Sequence, residues 1–391
     1  MKKKIFGFLT AFCFMFPALF ALTACGETPP NGEVWDGTCA TVSPADNGVI
    51  TIDTAEELAG VAKAVSEGED FEGVTLKLAC DIDLNNKTWT PIGIGNRGEL
   101  DSAKVFAGTF DGNGKAIVGL TNGSYAPTAA NKELEGDFTE TDVYTYSYGL
   151  FGIVSNATIK NLTITVNYNC NSATLKGDSV GGLVGFSTGG LTIQNCTVNG
   201  TIDGGYDAIG GLVGRSYNST TENKVIIQNC TNNASVKGMW KAAGIVGYVN
   251  SNDLYAKIDS CTNNGTIEST GLMKTATTYY STVTSITNFG WATTENTIIV
   301  TNNTNTGDLK ACAEISEEEG VTNYHMFTKF ANSVGNWFNA DNHSYDFRGN
   351  TNTGDVYYNG EEVSEVLGVS ISQVWAPYTD ATDYDGLADL G

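Results

Sequence analysis

Three oxygen-bearing side chains with the spacing of a calcium loop lie near the start of the chain. Asp81, Asp83 and Asn85 form the pattern Asp-x-Asp-x-Asn, and their oxygens are ligands that Ca²⁺ prefers. An EF-hand loop also needs glycine at its sixth position and glutamate at its twelfth, where this chain has Asn86 and Ile92. The pattern therefore favours a structural role in the first coil of the fold, with calcium binding as the alternative.

Hydrolytic chemistry would need a nucleophile beside a base, or two carboxylates at a set separation. The two histidines, His325 and His343, have no Gly-x-Ser-x-Gly or His-Glu-x-x-His motif around them, so we expect them to be exposed polar residues. No motif singles out a glycosidase pair among the 44 acids. A lyase acting on acidic polysaccharides needs clustered cations, and the lysines and arginines are scattered. We expect no catalytic residues and no cofactor, with a glycosidase-like enzyme as the alternative.

Aromatic side chains are the remaining candidates for ligand binding. They are Tyr144, Tyr146, Tyr148, Trp240 and Trp291, with Tyr279 and Tyr280 as further members. If they are exposed, such rings form a platform for sugars or protein ligands. Aromatic residues on the strands of a solenoid more often lie in the core or in side-by-side ladders, and both interpretations stay open at this point.

The charge of the chain limits its partners. The formal net charge is −23 at pH 7, from 44 acidic and 21 basic residues. Such a charge repels nucleic acids and anionic lipid headgroups, so we exclude nucleic acid as a partner. It agrees with a solvated surface outside the cytoplasm.

The N-terminus has the features of a bacterial export signal. Lysines 2–4 precede an apolar run that ends at Leu22, Thr23, Ala24 and Cys25. This ending resembles the lipobox of bacterial lipoproteins, which implies cleavage before Cys25 and acylation of that cysteine, with palmitate among the acyl groups. Multiple acyl chains give stable attachment, so we predict a lipid anchor in the bacterial cell envelope, facing away from the cytoplasm.

The middle of the chain repeats one pattern with a period of about 30 residues. Each copy has Gly-Gly-Leu-Val-Gly or a close variant, followed by Asn-Cys-Thr or Ser-Cys-Thr. The copies begin at Gly181, Gly210 and Ala243, and their cysteines are Cys196, Cys230 and Cys261. Fixed positions at such a period predict stacked supersecondary units, that is, a solenoid.

Within each copy the apolar residues change parity just before the cysteine. Leu191 and Ile193 share one parity, whereas Cys196 and Val198 share the other. Side chains of a strand alternate between its two faces, so the switch at Gln194-Asn195 predicts a corner. The cysteines are then inward-facing fillers rather than disulfide partners.

A helix is predicted ahead of the repeats. Thr54 and Glu57 form a capping box, and apolar residues recur with helical spacing through 54–67, so this helix can cap the open end of the solenoid. We divide the chain into a signal peptide (1–24), a lipidated tether (25–48), the solenoid (49–375) and an acidic tail (376–391). Loops are expected near 122–148 and 270–345, with 322–342 either helical or a loop.

The repeated pattern resembles the GLUG-type repeats of bacterial surface proteins, which also flank the catalytic part of IgA-specific metallopeptidases. The opening at 51–120 resembles such proteins as well, with Trp89-Thr-Pro-Ile-Gly and Phe106-Ala-Gly-Thr-Phe-Asp-Gly. The resemblance implies an all-β fold, a right-handed single-stranded parallel β-helix with an N-terminal capping α-helix. It implies no reaction. We expect a non-catalytic surface protein that adheres to glycans or proteins, with a passive spacer or coat protein as another alternative.

Overall fold

The structure is a computed structural model that describes residues 34–42, 47–95, 103–123, 133–134, 144–170, 175–217, 219–251, 254–271, 273–274, 278–290, 296–311, 322–328, 331–333, 343–358 and 360–362. Cys25 with the lipobox residues Leu22, Thr23 and Ala24, the ring of Trp291 and the tail 376–391 lie outside these residues.

One helix and 34 strands make up the described chain. The first part contains β1 (Val49–Ile52), α1 (Ala55–Glu67), β2 (Thr75–Leu78), β3 (Ile82–Asp83), β4 (Thr109–Thr121), β5 (Glu133–Leu134), β6 (Tyr144–Tyr148), β7 (Phe151–Val154) and β8 (Ala157–Asn169). The repeats contain β9 (Leu175–Gly181), β10 (Val184–Thr188), β11 (Leu191–Gln194), β12 (Thr197–Asp203), β13 (Gly205–Gly210), β14 (Val213–Tyr217), β15 (Val225–Gln228), β16 (Thr231–Asn232), β17 (Ser235–Gly238), β18 (Lys241–Ala243), β19 (Val246–Asn250), β20 (Tyr255–Asp259), β21 (Thr262–Asn263) and β22 (Ile267–Ser269). The last part contains β23 (Met273–Lys274), β24 (Thr278–Thr284), β25 (Thr287–Gly290), β26 (Asn296–Thr301), β27 (Thr304–Asn305), β28 (Leu309–Ala311), β29 (Thr322–Thr328), β30 (Ala331–Ser333), β31 (His343–Asp346), β32 (Thr351–Asn352), β33 (Val356–Tyr358) and β34 (Glu361–Glu362).

The strands stack into three long sheets whose main pairings are parallel. Sheet 1 has 20 strands and holds the Asn-Cys-Thr half of every repeat, sheet 2 runs through β6, β9, β13, β18, β24 and β29, and sheet 3 runs through β7, β10, β14, β19, β25 and β30. From β6 onward the described chain visits sheet 2, sheet 3 and sheet 1 in that order at each level, so the fold is the predicted parallel β-helix. In the described residues, sheet 1 shows nine successive levels, beginning with β1, β2, β4, β8, β11, β15, β20, β26 and β31.

Left-handed residues make the corner that the parity switch predicts. Asn195 and Asn229 have φ of 55° and 54°, and Asn161, Ser260 and Asn302 stand at the same corner with similar values. Asparagine tolerates this conformation better than most residues because its short polar side chain bonds locally. The corner turns the strand while both of its arms keep an inward apolar face.

The Gly-Gly-Leu-Val-Gly segment folds sheet 2 back onto sheet 3. A Cβ added to Gly247 would lie 2.5 Å from the Gly214 carbonyl oxygen and 2.6 Å from the Ile209 nitrogen. No real Cβ approaches backbone so closely, so glycine is required here because the two backbones nearly touch.

Helix α1 occupies the first level of the solenoid. Thr54 caps it, Glu57 completes the capping box, and Gly68 ends it in a left-handed conformation. Leu58 and Val61 are fully buried in the same continuous core as the first strands. This confirms the predicted helix. Within the described residues, no helix is long and apolar enough to cross a membrane.

Both segments interpreted as inserted loops contain strands of the array. β6 lies within 122–148 and pairs with β9 in sheet 2. β24 to β30 lie within 270–345, and the helical alternative for 322–342 is wrong where β29 pairs with β24 over seven residues. The repeat pattern is weaker in these segments because polar and aromatic residues replace the usual apolar ones. The backbone still pairs with the preceding level, since that pairing does not depend on the side chains.

The repeat cysteines point inward, as the parity argument predicts. Cys196, Cys230 and Cys261 are each 1% exposed, and all of the described cysteines are free thiols. The thiol of Cys230 bonds the carbonyl oxygens of Gln228 and Ile193 at 3.1 and 3.7 Å, so it joins two levels.

These thiols are expected to resist alkylation in the native protein. Each of the three is only 1% exposed, which keeps the reagent from reaching the sulfur, and burial also raises the pKa of the Cys261 thiol. Cys39 is exposed and serves as the internal control. Peptide mapping after iodoacetamide treatment should show rapid labelling of Cys39 and labelling of Cys196, Cys230 and Cys261 only in denaturant. Rapid native labelling of all three would show that the register is wrong.

Candidate binding face

The aromatic candidates do not form an exposed platform. Tyr148 is fully buried and donates a hydrogen bond of 2.8 Å to the carbonyl oxygen of Trp89. Tyr146 is 5% exposed and Trp240 is 9% exposed. Tyr144 lies on β6, where only its backbone is described. The expectation of an exposed aromatic platform is therefore corrected for Tyr146, Tyr148 and Trp240, whose rings are buried. Tyr146 and Tyr148 pack in the hydrophobic core.

The carboxylates of the segment 81–85, the calcium-loop candidate, stabilise turns by hydrogen bonds. The Asp83 carboxylate accepts a 2.7 Å hydrogen bond from the Asn85 nitrogen, and Asp81 accepts one of 2.8 Å from the Ala116 nitrogen of a later level. In the described ranges, no group of three or more His, Cys, Asp or Glu side chains is placed to hold a metal ion. For the two histidines only the backbone is described, and it lies in different sheets, His325 on β29 and His343 on β31.

A cluster of charged side chains is buried between sheets 2 and 3. Asp178, Asp207, Arg215 and Lys241 are each at most 5% exposed. The Asp207 carboxylate accepts hydrogen bonds from both cations. Arg215 donates to one oxygen, and the Lys241 ammonium donates to the other at 2.5 Å. The Tyr248 ring lies 4.4 Å from the Lys241 ammonium.

This ionic cluster is closed to solvent. Charges removed from water are tolerated only when they are paired and hydrogen-bonded, and these charges pair with each other. Its members come from adjacent strands of sheet 2 and from β14 of sheet 3, so it ties the two sheets together. We assign it a structural role, since a ligand has no access to it.

The outward side of sheet 1 carries two regular columns of uncharged polar side chains, which we call the threonine–asparagine face. The first column consists of Thr163, Thr197, Thr231, Thr262, Thr304 and Thr351. The second lies two residues further along each strand and consists of Thr165, Asn199, Asn233, Asn264, Thr306 and Thr353. All twelve side chains are partly or fully exposed.

The second column is organised by hydrogen bonds between levels. Asn233 donates to Asn199 at 2.8 Å, Asn264 donates to Asn233 at 2.8 Å, and the Thr306 hydroxyl donates to Asn264 at 2.7 Å. A side-chain amide has two N–H donors and an oxygen with two lone pairs. Each bond along the column uses one N–H and one lone pair, so donors and acceptors remain for a ligand.

A buried amide ladder lies directly behind this face. Asn232, Asn263 and Asn305 are fully buried, and each donates to the next asparagine along the axis, ending at Asn352, at distances of 2.8, 2.7 and 2.6 Å. Each also donates to a carbonyl oxygen two residues ahead, as Asn263 does to Gly265 at 2.9 Å. The ladder fixes the bend after each strand and so holds the face in register.

Charged residues border the face. In the column that runs from Asp203 through Lys237 to Glu268, Lys237 lies 3.4 Å from Glu268. Burial raises the pKa of Asp203; Lys237 opposes this shift and Glu268 adds to it. At the next level Lys310 lies 3.7 Å from Asp308. The basic groups of this border are therefore already paired with acids.

Sequence reasoning missed the threonine–asparagine face. The signal was present as Thr-x-Asn or Thr-x-Thr at every repeat, at Thr197, Thr231, Thr262, Thr304 and Thr351. The cysteine is the more conspicuous mark of each repeat, so the sequence alone assigns these residues to the scaffold. Asn303 and Asn350 take the cysteine position in the last levels, where Asn303 accepts from the Cys261 nitrogen at 2.8 Å.

Comparisons with known proteins agree with the repeats and with the fold. The family model described as the GLUG motif matches residues 177–203. Halomucin of Haloquadratum walsbyi is 33% identical over 187 residues, which are 46% of this chain and 2% of halomucin. The chain therefore spans a very small part of that curated relative.

A solved structure shares the architecture. The crystal structure described as a "putative immunoglobulin A1 protease" from Bacteroides ovatus superposes with a TM-score of 0.51 over 84% of this chain and 81% of that chain, at 15% identity. At that identity the likeness shows the fold alone. The motif match agrees with the repeats that the sequence shows. This chain thus contains a match to the GLUG motif at 177–203 and has a parallel β-helix fold.

Proposed function

We propose that the protein is a lipid-anchored, non-catalytic surface protein that recognises an extended glycan or protein ligand through the threonine–asparagine face. The observation that carries the proposal is the alignment of two polar columns over six levels, backed by a buried amide ladder. A rigid face with free donors and acceptors binds at low entropic cost because little has to be ordered on binding.

The surface location rests on the GLUG motif and on the similarity to halomucin, and the anchor rests on the lipobox. The tether 25–48 would hold the solenoid away from the membrane.

Changing Cys25 to serine is expected to abolish acylation of the protein. Lipidation requires the thiol, which serine lacks, and the variant would then depend on its apolar leader for membrane attachment. Metabolic labelling with palmitate measures this, with Cys39→Ser as the matched control. Equal labelling of the wild-type and Cys25→Ser proteins would exclude the predicted anchor.

Lysines introduced on the face are expected to abolish ligand binding. The double variant Thr231→Lys/Thr262→Lys puts two long charged side chains in the first column, and its binding to glycan and protein arrays should fall at least about tenfold, which is about 1.4 kcal/mol. The control is Thr158→Lys/Thr192→Lys, because these threonines also point outward from adjacent levels of sheet 1, before the corner.

The arrays also separate the alternatives. Equal loss in both double variants would contradict the assignment to this face, and no ligand at all would favour a passive spacer. An enzyme is the second candidate because Asp203, with its raised pKa, lies two strand spacings from Glu268. That separation is about 9.5 Å, the upper limit for inverting glycosidases. Sugar release that Asp203→Asn abolishes would contradict a binding-only protein.

A further inference from the structure

We propose that the ligand of the threonine–asparagine face is a neutral linear polysaccharide whose chain runs parallel to the solenoid axis. This inference rests on the proposed function and narrows it to one class of ligand. Three properties of the face support it, namely its period, its hydrogen-bonding groups and its charge.

The side chains of the threonine–asparagine face repeat along the solenoid axis. Equivalent groups recur once per level, as Thr231, Thr262 and Thr304 do in the first column. Parallel strands are about 4.8 Å apart. An extended β-1,4-linked glycan advances by nearly the same distance for each sugar, so one sugar can meet one level. A peptide strand advances by about 3.3 Å per residue and has no such match.

The hydrogen-bonding groups of the face suit hydroxyl groups. Threonine hydroxyls both donate and accept, and the asparagine amides of the second column retain one N–H and a lone pair each. Sugar hydroxyls also donate and accept, so each can satisfy either column. The face offers two columns two residues apart, and this width matches a single ribbon of sugars lying flat on it.

The charge of the face excludes an acidic polymer. Both columns consist of uncharged side chains, and the bordering Lys237 and Lys310 are paired with Glu268 and Asp308. The whole chain carries a net charge of −23, which repels polyanions. No cation of the face is left to neutralise a uronic acid, so a neutral glycan is the complementary ligand.

A length series of oligosaccharides tests the inference. Cello-oligosaccharides from the disaccharide to the hexasaccharide would be titrated into the detergent-solubilised full chain by calorimetry, with oligogalacturonates of equal length as acidic counterparts. We expect the affinity for the neutral series to rise at least about tenfold from the disaccharide to the hexasaccharide, as each sugar reaches another level. Thr231→Lys/Thr262→Lys should remove this rise, and Thr158→Lys/Thr192→Lys should keep it.

The outcomes for the two proposals are distinct. Binding of oligogalacturonates as tight as that of the neutral series, or affinity that does not grow with length, would overturn the neutral linear ligand. A protein ligand that the Thr231→Lys/Thr262→Lys variant no longer binds would also overturn it, while leaving the threonine–asparagine face as the binding surface. Neutral oligosaccharides that bind both double variants equally would overturn the assignment of the face itself.

Discussion

Replacing Asn263 by leucine is expected to lower the free energy of unfolding by about 3–5 kcal/mol. Asn263 is fully buried, donates to Gly265 and Asn305, and accepts from Asn232. Leucine has the same branching and number of side-chain heavy atoms but no hydrogen-bonding group, so it leaves those three groups without their partner. Each buried polar group left unsatisfied costs about 1–3 kcal/mol.

The neighbouring residue provides the control. Asn264 is an asparagine on the same segment, but it is exposed and bonds only within the outer column. Asn264→Leu should cost no more than about 1 kcal/mol, because water can replace its partners. Urea unfolding followed by circular dichroism measures both variants. Equal costs would show that the inner ladder does not stabilise the solenoid more than the outer column does.

Replacing Asp207 by alanine is expected to cost about 3–5 kcal/mol of stability. The change leaves Arg215 and Lys241 buried without the carboxylate that both of them contact. Two cations next to each other in a medium of low dielectric repel strongly, and neither can reach water without opening the contact between sheets 2 and 3.

An exposed ion pair provides the comparison for this variant. Lys63 and Glu67 lie 3.9 Å apart on α1 with 58% and 66% of their side chains exposed. Glu67→Ala should change the stability by no more than about 0.5 kcal/mol. The same urea measurements apply. A cost for Asp207→Ala as small as that for Glu67→Ala would mean that the cluster is hydrated and open, and its structural assignment would be wrong.

Periodic features of the fold could be predicted from the sequence, and contacts between sheets could not. The helix followed from Thr54, Glu57 and the apolar spacing, and the corner followed from the parity switch beside Asn195. Each of these signals comes from residues that are close together in the chain, so a single sequence is enough to show it. The ionic cluster joins Asp178, Asp207 and Lys241 from three levels, and nothing in the spacing of these residues distinguishes them from exposed charges.

The orientation of the aromatic side chains could not be predicted from the sequence either. Tyr148 had two possible orientations, and only the pairing of β6 within sheet 2 decides between them. Trp240 lies just before β18, where no strand alternation applies, and only the structure shows that it is buried.

The parity of Cys261 already places Asn263 on the inward side of its strand, but it does not show how a buried amide is satisfied. The bonds of Asn263 to the Gly265 carbonyl and to Asn305 are tertiary details that only the structure shows.

The corner, the buried asparagine and the exposed column keep the same bonds while the length of a coil changes. The residues bonded between successive levels are 31 positions apart from Asn233 to Asn264, 42 from Asn264 to Thr306 and 47 from Thr304 to Thr351. The extra residues enter between strands and leave the column untouched. Evolution can therefore lengthen, shorten or exchange the segments that surround the face without altering its spacing. Related chains can then acquire new specificities in these segments while the threonine–asparagine face stays the same.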